Sequence, residues 1–392
     1  MHTVDLVEEQ PFLLERRLLG ETEALRLHQH HSRQLQIDFP SPLHPTHYAL
    51  RSRGWVGQLS AGPLLIRLHA KISLRNLFGM IEAAYQLEGL HLFSGRVEAG
   101  SVEGIFSHLA TLLAKGVQAR LHQGLYREYR ECEEDLPYVR GRIRFGSVAG
   151  PRTLRCAYQE HSAAGMDNLI LAWTLHAIRG FRFGQEEVQR RVRQVYRLMA
   201  AVVPPSPVQA AACLNRPYHR LNQDYQPLHA LCCFFLEHGG PAMSTGDHGF
   251  LPFAVHLPTL FEGFATHWLK ARLPAGLHLE VQHRAGVEGS TAVAFQIDLV
   301  LRGEGGKVLA VLDTKYKDTP EPSSEDVQQI VAYAVRMGTQ KAFLIYPSTA
   351  TPARRLKVGM VQVDILSFEL NRELNQSGSA VLAGLLAELK IT

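Results

Sequence analysis

The chain has 392 residues, 46% hydrophobic and 20% charged, which is the make-up of an ordinary globular protein with room for two or three domains of normal core size. A formal net charge of +4 excludes a sequence-wide polycation, so any nucleic-acid contact has to rest on local basic patches. The five cysteines (Cys132, Cys156, Cys213, Cys232 and Cys233) are odd in number and form no C-x-x-C pair, which argues against a disulfide framework or a cysteine-rich zinc site and fits a reducing cytoplasm.

The first nine residues carry Asp5, Glu8 and Glu9 where an export signal needs basic and then apolar sequence, and no apolar run approaches a membrane span. A cytoplasmic protein without membrane contact is expected. Up to about Leu68 the sequence alternates as β-structure does, with short strands at Leu35–Ile37, His47–Leu50, Trp55–Leu59 and Leu64–Leu68. Prolines 40, 42 and 45, Gly54 and Gly62-Pro63 break them. Ser73 offers an N-cap for a helix through Leu77, Met80, Ile81 and Ala84, and a second helix is expected from about Val102 to Leu121. Between Tyr126 and Phe145 the chain turns extended and polar, with Val139, Ile143 and Phe145 alternating with Arg140, Arg142 and Arg144.

Two helices are predicted between Asp167 and Val203, the first stopping at Gly180 and the second before Pro204-Pro205; a third, Pro227–His238, is almost wholly apolar and therefore buried. The Gly- and Pro-containing stretch 239–249 reads as a linker. A new unit follows: a helix with Leu260, Phe261, Phe264 and Trp268, strands near Leu277–His283, Ala292–Leu301 and Val308–Leu312, a helix Ser324–Met337, strands Lys341–Tyr346 and Gly359–Asp364, and a closing helix Ser379–Leu389. The fold class expected is α+β and multidomain: an N-terminal β-rich domain (1–149), a helical middle segment (150–245) and a C-terminal mixed α/β domain (246–392).

The most informative segment is Phe295–Lys315, two apolar strands joined by the polar turn Arg302–Lys307. Asp298 interrupts the first strand, and Asp313-Thr314-Lys315 ends the second. Charges inside strand-core sequence cost several kcal/mol, on the order of 2–7 for polar groups and more for ions, unless they are paired or bind metal. Asp298 and Asp313 are fifteen positions apart, which suits neighbouring places on paired strands. Two carboxylates are hard oxygen ligands for Mg²⁺, and Mg²⁺ activates both a phosphate and its attacking water. Lys315, two residues beyond Asp313, leaves the same strand face, where it can orient or deprotonate the water or offset transition-state charge. That is the chemistry of phosphodiester hydrolysis. Gly303–Lys307 has a Gly-Lys but lacks the earlier glycine and the following Ser/Thr of a phosphate-binding loop, so no nucleotide site is expected.

Asp298…Asp313-Thr314-Lys315 resembles the PD-(D/E)XK nuclease signature, and its surroundings resemble McrC, the nuclease subunit of McrBC modification-dependent restriction systems. The resemblance spans nearly the whole chain: Leu260-Phe261-Glu262, Asp326-x-x-Gln329-x-x-x-Tyr333-Ala334, Lys71-Ile72 with Asn76-Leu77, Arg140-Gly141-Arg142-Ile143, and the Asp167-Asn168 start of the middle helix. Ile297 replaces the signature's proline and Ala70 the proline before Lys71, departures that remove no ligand. The resemblance implies that Asp298, Asp313 and an accessory Glu262 hold Mg²⁺ (or Mn²⁺), that Lys315 is the catalytic lysine, and that Gln329 stands near the site, with Tyr333 packing in the core. It further implies modified DNA as substrate and an McrB-like AAA+ GTPase hexamer as partner, with Arg75, Arg140 and Arg142 as candidate docking residues. A nuclease homodimer is expected because cutting both strands needs two sites.

Two other readings stay open: a non-catalytic adaptor that activates the AAA+ ring, and a free-standing metal-dependent nuclease. His28, His30, His31, His44 and His47 lack cysteines or an H-x-x-x-H pair, so no zinc site is expected there. The basic run Arg190, Arg191, Arg193 and Arg197 reads as a solvated helix face or a tracker of DNA phosphates.

Overall fold

The computed structural model describes residues 2–42, 45–61, 64–87, 101–144, 152–181, 183–239, 253–286, 294–348, 350–351 and 353–391. In chain order the elements are β1 (His2–Val7), β2 (Phe12–Glu15), α1 (Glu21–His31), β3 (Leu35–Asp38), β4 (His47–Ser52), β5 (Trp55–Ala61), β6 (Leu64–His69), α2 (Leu74–Ala84), α3 (Val102–Gln123), β7 (Glu128–Leu136), β8 (Arg142–Ile143), β9 (Leu154–Ser162), α4 (Met166–Ile178), α5 (Glu186–Val202) and α6 (Gln226–His238). There follow β10 (Phe253–His256), α7 (Leu257–Lys270), β11 (His278–Gly286), β12 (Ala294–Arg302), β13 (Val308–Thr314), α8 (Ser324–Arg336), β14 (Lys341–Tyr346), β15 (Arg355–Val358), β16 (Val361–Ser367) and α9 (Leu374–Leu389). Among the described residues no helix is long and apolar enough to cross a membrane.

Contacts group residues 1–89, 98–102 and 252–392 into one unit and 90–97 and 103–251 into a second. This differs from the three consecutive domains expected from the sequence. The physical reason is a non-local strand pair: β10 runs antiparallel to β5, from Phe253↔Gln58 to His256↔Trp55, and α2 packs on α7. The N-terminal strands therefore share a sheet with the segment that opens the C-terminal region, in the order β1-β6-β5-β10.

Within the first unit the six-stranded sheet has the order β11-β12-β13-β14-β16-β15. The hairpin pairs β11–β12 and β12–β13 are antiparallel, whereas β13–β14 and β14–β16 are parallel because α8 and the following connection carry the chain back. Alternation sorts the two faces. Val300, Val311, Leu344 and Val363 point to a core closed by Ile330 and Tyr333 of α8. On α7, Phe264 and Trp268 instead pack edge-to-face against Phe368. The β12–β13 turn contains Gly305 and Gly306 at φ +69° and +79°, a backbone that L side chains rarely adopt, and Gly303 N donates to Lys307 O at 2.9 Å.

In the second unit, α6 buries most of its apolar side chains, α4 buries Ile170, Leu171, Ala172, Leu175 and Ile178, and α5 turns Val188, Val192, Val195 and Met199 inward. Asp167 and Asn168 at the start of α4 form a polar hub. Arg216 Nε donates to Asp167 Oδ1 at 2.7 Å, and Asn168 Nδ2 donates to the carbonyls of Tyr126 and Ala163 at 2.7 and 2.8 Å. That hub ties α4 to the end of the ribbon β7-β9-β8 where β7 begins and β9 finishes, and the β7 residues are mostly exposed.

The cap at Ser73 forms as expected, its Oγ accepting from Asn76 N at 3.2 Å. Three features differ from expectation. Helix α1 occupies part of the tract read as β-structure, and strand β9 lies within the middle segment 150–245 expected to be helical, where it pairs with β7, the strand that the extended stretch forms. Helix α9 begins at Leu374 rather than Ser379, because the Glu373 carboxylate caps it by accepting from Asn375 N and Gln376 N at 3.1 and 2.8 Å. Of the linker expected at 239–249, only residue 239 falls among the described residues.

Candidate active site

The ladder between β12 and β13 pairs Leu299 with Leu312, and one step further along that register Asp298 stands opposite Asp313. Val311 faces the α8 core, so Asp313, two residues on, leaves the same face of the sheet, and so does Lys315 just past the strand end. Asp313 is fully buried and Asp298 half-buried.

Lys315 Nζ lies 2.7 Å from Asp313 Oδ2 as an ion pair, outside the angular range of a hydrogen bond; both Asp313 carboxylate oxygens are buried without a hydrogen-bond donor. Burial, reinforced by the neighbouring Asp298 carboxyl, pushes the Asp313 carboxyl up to about 7 against the pull of Lys315. Asp298 is likewise raised by burial and by the charge of Glu262. Burial works against the charge on Lys315, yet the adjacent Asp313, Asp326 and Asp298 outweigh it and hold the ammonium charged.

Helix α8 supplies the rest of the lysine's surroundings. Its N-cap is Ser323, whose side chain accepts from Asp326 N. Lys315 Nζ donates to Gln329 Oε1 at 2.8 Å, and Gln329 Nε2 donates to Tyr333 Oη at 2.7 Å. Gln329 thus meets Lys315 directly, and Tyr333 both packs in the core and orients that glutamine. Asp326, buried, accepts from Lys317 Nζ at 2.9 Å through each oxygen and from Tyr346 Oη at 3.2 Å, and lies 3.8 Å from Lys315 Nζ.

Glu262, on α7, is half-buried; burial and Asp313 raise its carboxyl while a hydrogen bond from Gln282 opposes them. Gln282 Nε2 donates to Glu262 Oε1 at 2.6 Å. Among the described residues no group of three or more His, Cys, Asp or Glu side chains is gathered closely enough to hold an ion, so Glu262 stands beside the Asp298–Asp313 pair rather than closing a three-acid cluster. Two carboxylates still fit Mg²⁺, which keeps several waters and takes one or two protein carboxylates together with substrate oxygens. The donorless, buried oxygens of Asp313 are what such an ion would satisfy.

The candidate docking arginines lie apart from this cluster in the chain. Arg75 is exposed on α2. Arg140 pairs with Glu160 at 3.1 Å and stacks over the Tyr158 ring at 3.8 Å, and exposed Arg142 belongs to β8. On α5, Arg191 pairs with Glu187 and Arg193 donates to the Arg179 carbonyl. His28, His30 and His31 end α1 and His47 begins β4, while His44 lies outside the described residues.

Sequence reasoning missed Gln282, Lys317 and the role of Asp326. A signal existed for two of them: Lys317 alternates with Lys315, and Asp326 precedes Gln329 by three positions on one helix face. Nothing in the sequence around Gln282 marks it.

A family model described as McrBC 5-methylcytosine restriction system component matches residues 50–347. No curated protein matches the chain. Among solved structures, a chain of the refined half-complex from a tetradecameric assembly of Thermococcus gammatolerans McrB AAA+ hexamers with bound McrC is similar over 98% of this chain and 100% of that one, at 15% identity and a TM-score of 0.58. A chain of the cryo-EM structure of the Thermococcus gammatolerans McrBC complex is similar over 69% of this chain and 87% of that one, at 16% identity and a TM-score of 0.44. The first of these shows a shared fold.

Proposed function

The chain belongs to the family of McrBC 5-methylcytosine restriction system components, and on that premise we propose that it is the nuclease subunit of such a system. In this reading it is a Mg²⁺-dependent DNA endonuclease of the PD-(D/E)XK type, cutting methylcytosine-containing DNA in the cytoplasm. The observation that carries it is the buried Asp313 carboxylate, whose oxygens make no hydrogen bond, beside Asp298 in the middle of β12 and charged Lys315 just past the end of β13. Buried carboxylates with raised pKa values next to a lysine cost stability, and such clusters concentrate at functional sites.

Asp298 and Asp313 would hold the ion, with Glu262 as the accessory acid. When bound, Mg²⁺ (or Mn²⁺) polarises the scissile phosphate and makes its water a better nucleophile. Lys315 keeps a positive charge at Nζ where negative charge grows on the phosphate oxygens. Gln329, held by Tyr333, aims that ammonium, so the lysine is positioned before substrate arrives.

The partner in this reading is an McrB-like AAA+ GTPase hexamer. Support comes from the absence of a phosphate-binding loop in the sequence and from the fold shared with a chain of an assembly of McrB hexamers with bound McrC. Arg75, Arg140 and Arg142 are the residues assigned to docking, and double-strand cutting calls for two copies of the nuclease at the break.

The test incubates purified chain with methylated and unmethylated plasmid and Mg²⁺, with and without the partner GTPase and GTP. Cutting of methylated plasmid only in the complete mixture is expected. Faster GTP hydrolysis without cutting would identify an adaptor, and cutting without the partner a free-standing nuclease.

A further inference from the structure

Gln282 has φ +53°, a left-handed backbone that strains a side chain with a Cβ. The other described non-glycine residues with positive φ, Glu9, Gln86, Asn215 and Lys390, all lie outside strands and helices, whereas Gln282 lies inside β11. The ladder is interrupted there. Val281 pairs Leu299 and His283 pairs Ile297, and the position skipped between them sets Gln282 opposite Asp298.

The side chain is fixed at both ends. Gln296, two residues before Asp298 on β12, donates to Gln282 Oε1, which turns Gln282 Nε2 toward Glu262 Oε1 at 2.6 Å. A strained backbone kept inside one strand, opposite one acid and bonded to another, is the pattern of a pre-organised site.

We propose that Gln282 is a positioning residue whose amide fixes the Glu262 carboxylate beside the Asp298–Asp313 pair and thereby sets the affinity of that pair for a divalent cation. The role rests on the metal-site reading above. It gives the third acid a defined place without making it a closed-cluster ligand.

Glycine is the informative substitution, because Gln282→Gly relieves the backbone while removing the amide together with its two methylenes. Mn²⁺ is titrated calorimetrically into metal-free, full-length protein, with thermal unfolding recorded in parallel. Gln282→Gly is expected to unfold at the same or a higher temperature than the wild type while binding Mn²⁺ about tenfold more weakly. Glu262→Gln should weaken binding by a similar factor, and the double variant no further than either alone. Unchanged affinity in Gln282→Gly, with binding lost in Asp313→Asn, overturns the positioning role and leaves the metal site standing. Binding that survives Asp313→Asn, or that is absent from the wild type, overturns both.

Discussion

Lys315 and Gln329 are joined by a hydrogen bond of 2.8 Å that crosses from the end of β13 to α8, and Gln329 is itself held by Tyr333. The lysine's aim thus depends on a helix that begins nine residues after it, at Ser324. Gln329→Ala should leave metal binding and folding intact but lower single-turnover cleavage by about tenfold, as loss of an orienting hydrogen bond does. Tyr333→Phe keeps the ring in the core and removes only the hydroxyl, so a smaller fall is expected. Equal rates for Gln329→Ala and wild type would detach the helix from the chemistry.

Asp313→Asn keeps the size of a fully buried side chain while removing its charge. Cleavage should fall by roughly a thousandfold, within the range for losing a principal electrostatic element, with the circular dichroism spectrum unchanged. Lys315→Ala should also abolish cleavage, yet it removes no ligand, so Mn²⁺ binding measured by calorimetry should persist. Loss of metal from Lys315→Ala with retention in Asp313→Asn would reverse the assigned roles.

A further buried carboxylate, Glu8, meets Tyr316, the residue after Lys315. Tyr316 Oη donates to Glu8 Oε2 at 3.2 Å, and burial pushes the Glu8 carboxyl up to about 7, partly offset by that hydrogen bond. The folded state therefore favours protonated Glu8. Its stabilising contribution is complete below the ordinary value of 4.5 and is lost as pH rises through 7. Wild-type unfolding free energy should lose about 3 kcal/mol from this group between pH 4.5 and 8. Glu8→Gln should remove that slope and be the more stable protein at pH 8; parallel urea-unfolding curves for the two proteins across this range would refute the assignment.

The element Lys71–Leu77 contains a structural anchor. Asn76 Nδ2 donates to the carbonyls of Leu370 and Arg372 at 2.7 and 2.8 Å, tying α2 to the loop before α9. Asn76→Ala should destabilise the protein by about 1–3 kcal/mol, read as a lower urea midpoint, without changing the metal affinity of the folded protein. An unchanged midpoint would show that these bonds add nothing.

The local parts of this fold were legible in the sequence. Gly305 and Gly306 announced the β12–β13 turn, the apolar runs gave β13 and β14, and Ser73 announced α2. Once those strands pair, the fifteen-residue spacing alone sets Asp298 opposite Asp313. What stayed hidden was non-local or weakly patterned. Helix α1 buries only Ala24 and Leu27, too few for a visible period. The β5–β10 pair joins residues almost two hundred positions apart, and no local pattern encodes it, so the division into units could not be read. Gln282 takes a left-handed backbone without the glycine or asparagine that normally signals one.

That division also determines which experiment is cleanest. A chain ending near Gly240 would strip β10 from β5, so point substitution is better suited than truncation. The measurement of choice is therefore the full-length Asp298→Ala/Asp313→Ala variant, assayed in one reaction for cleavage of methylated plasmid and for GTP hydrolysis by the AAA+ partner. The variant is predicted to make no cuts and to raise GTP hydrolysis as the wild type does. A folded variant that still cuts, or that neither cuts nor raises hydrolysis, would contradict the assignment of cutting to the Asp298–Asp313–Lys315 cluster and of docking elsewhere.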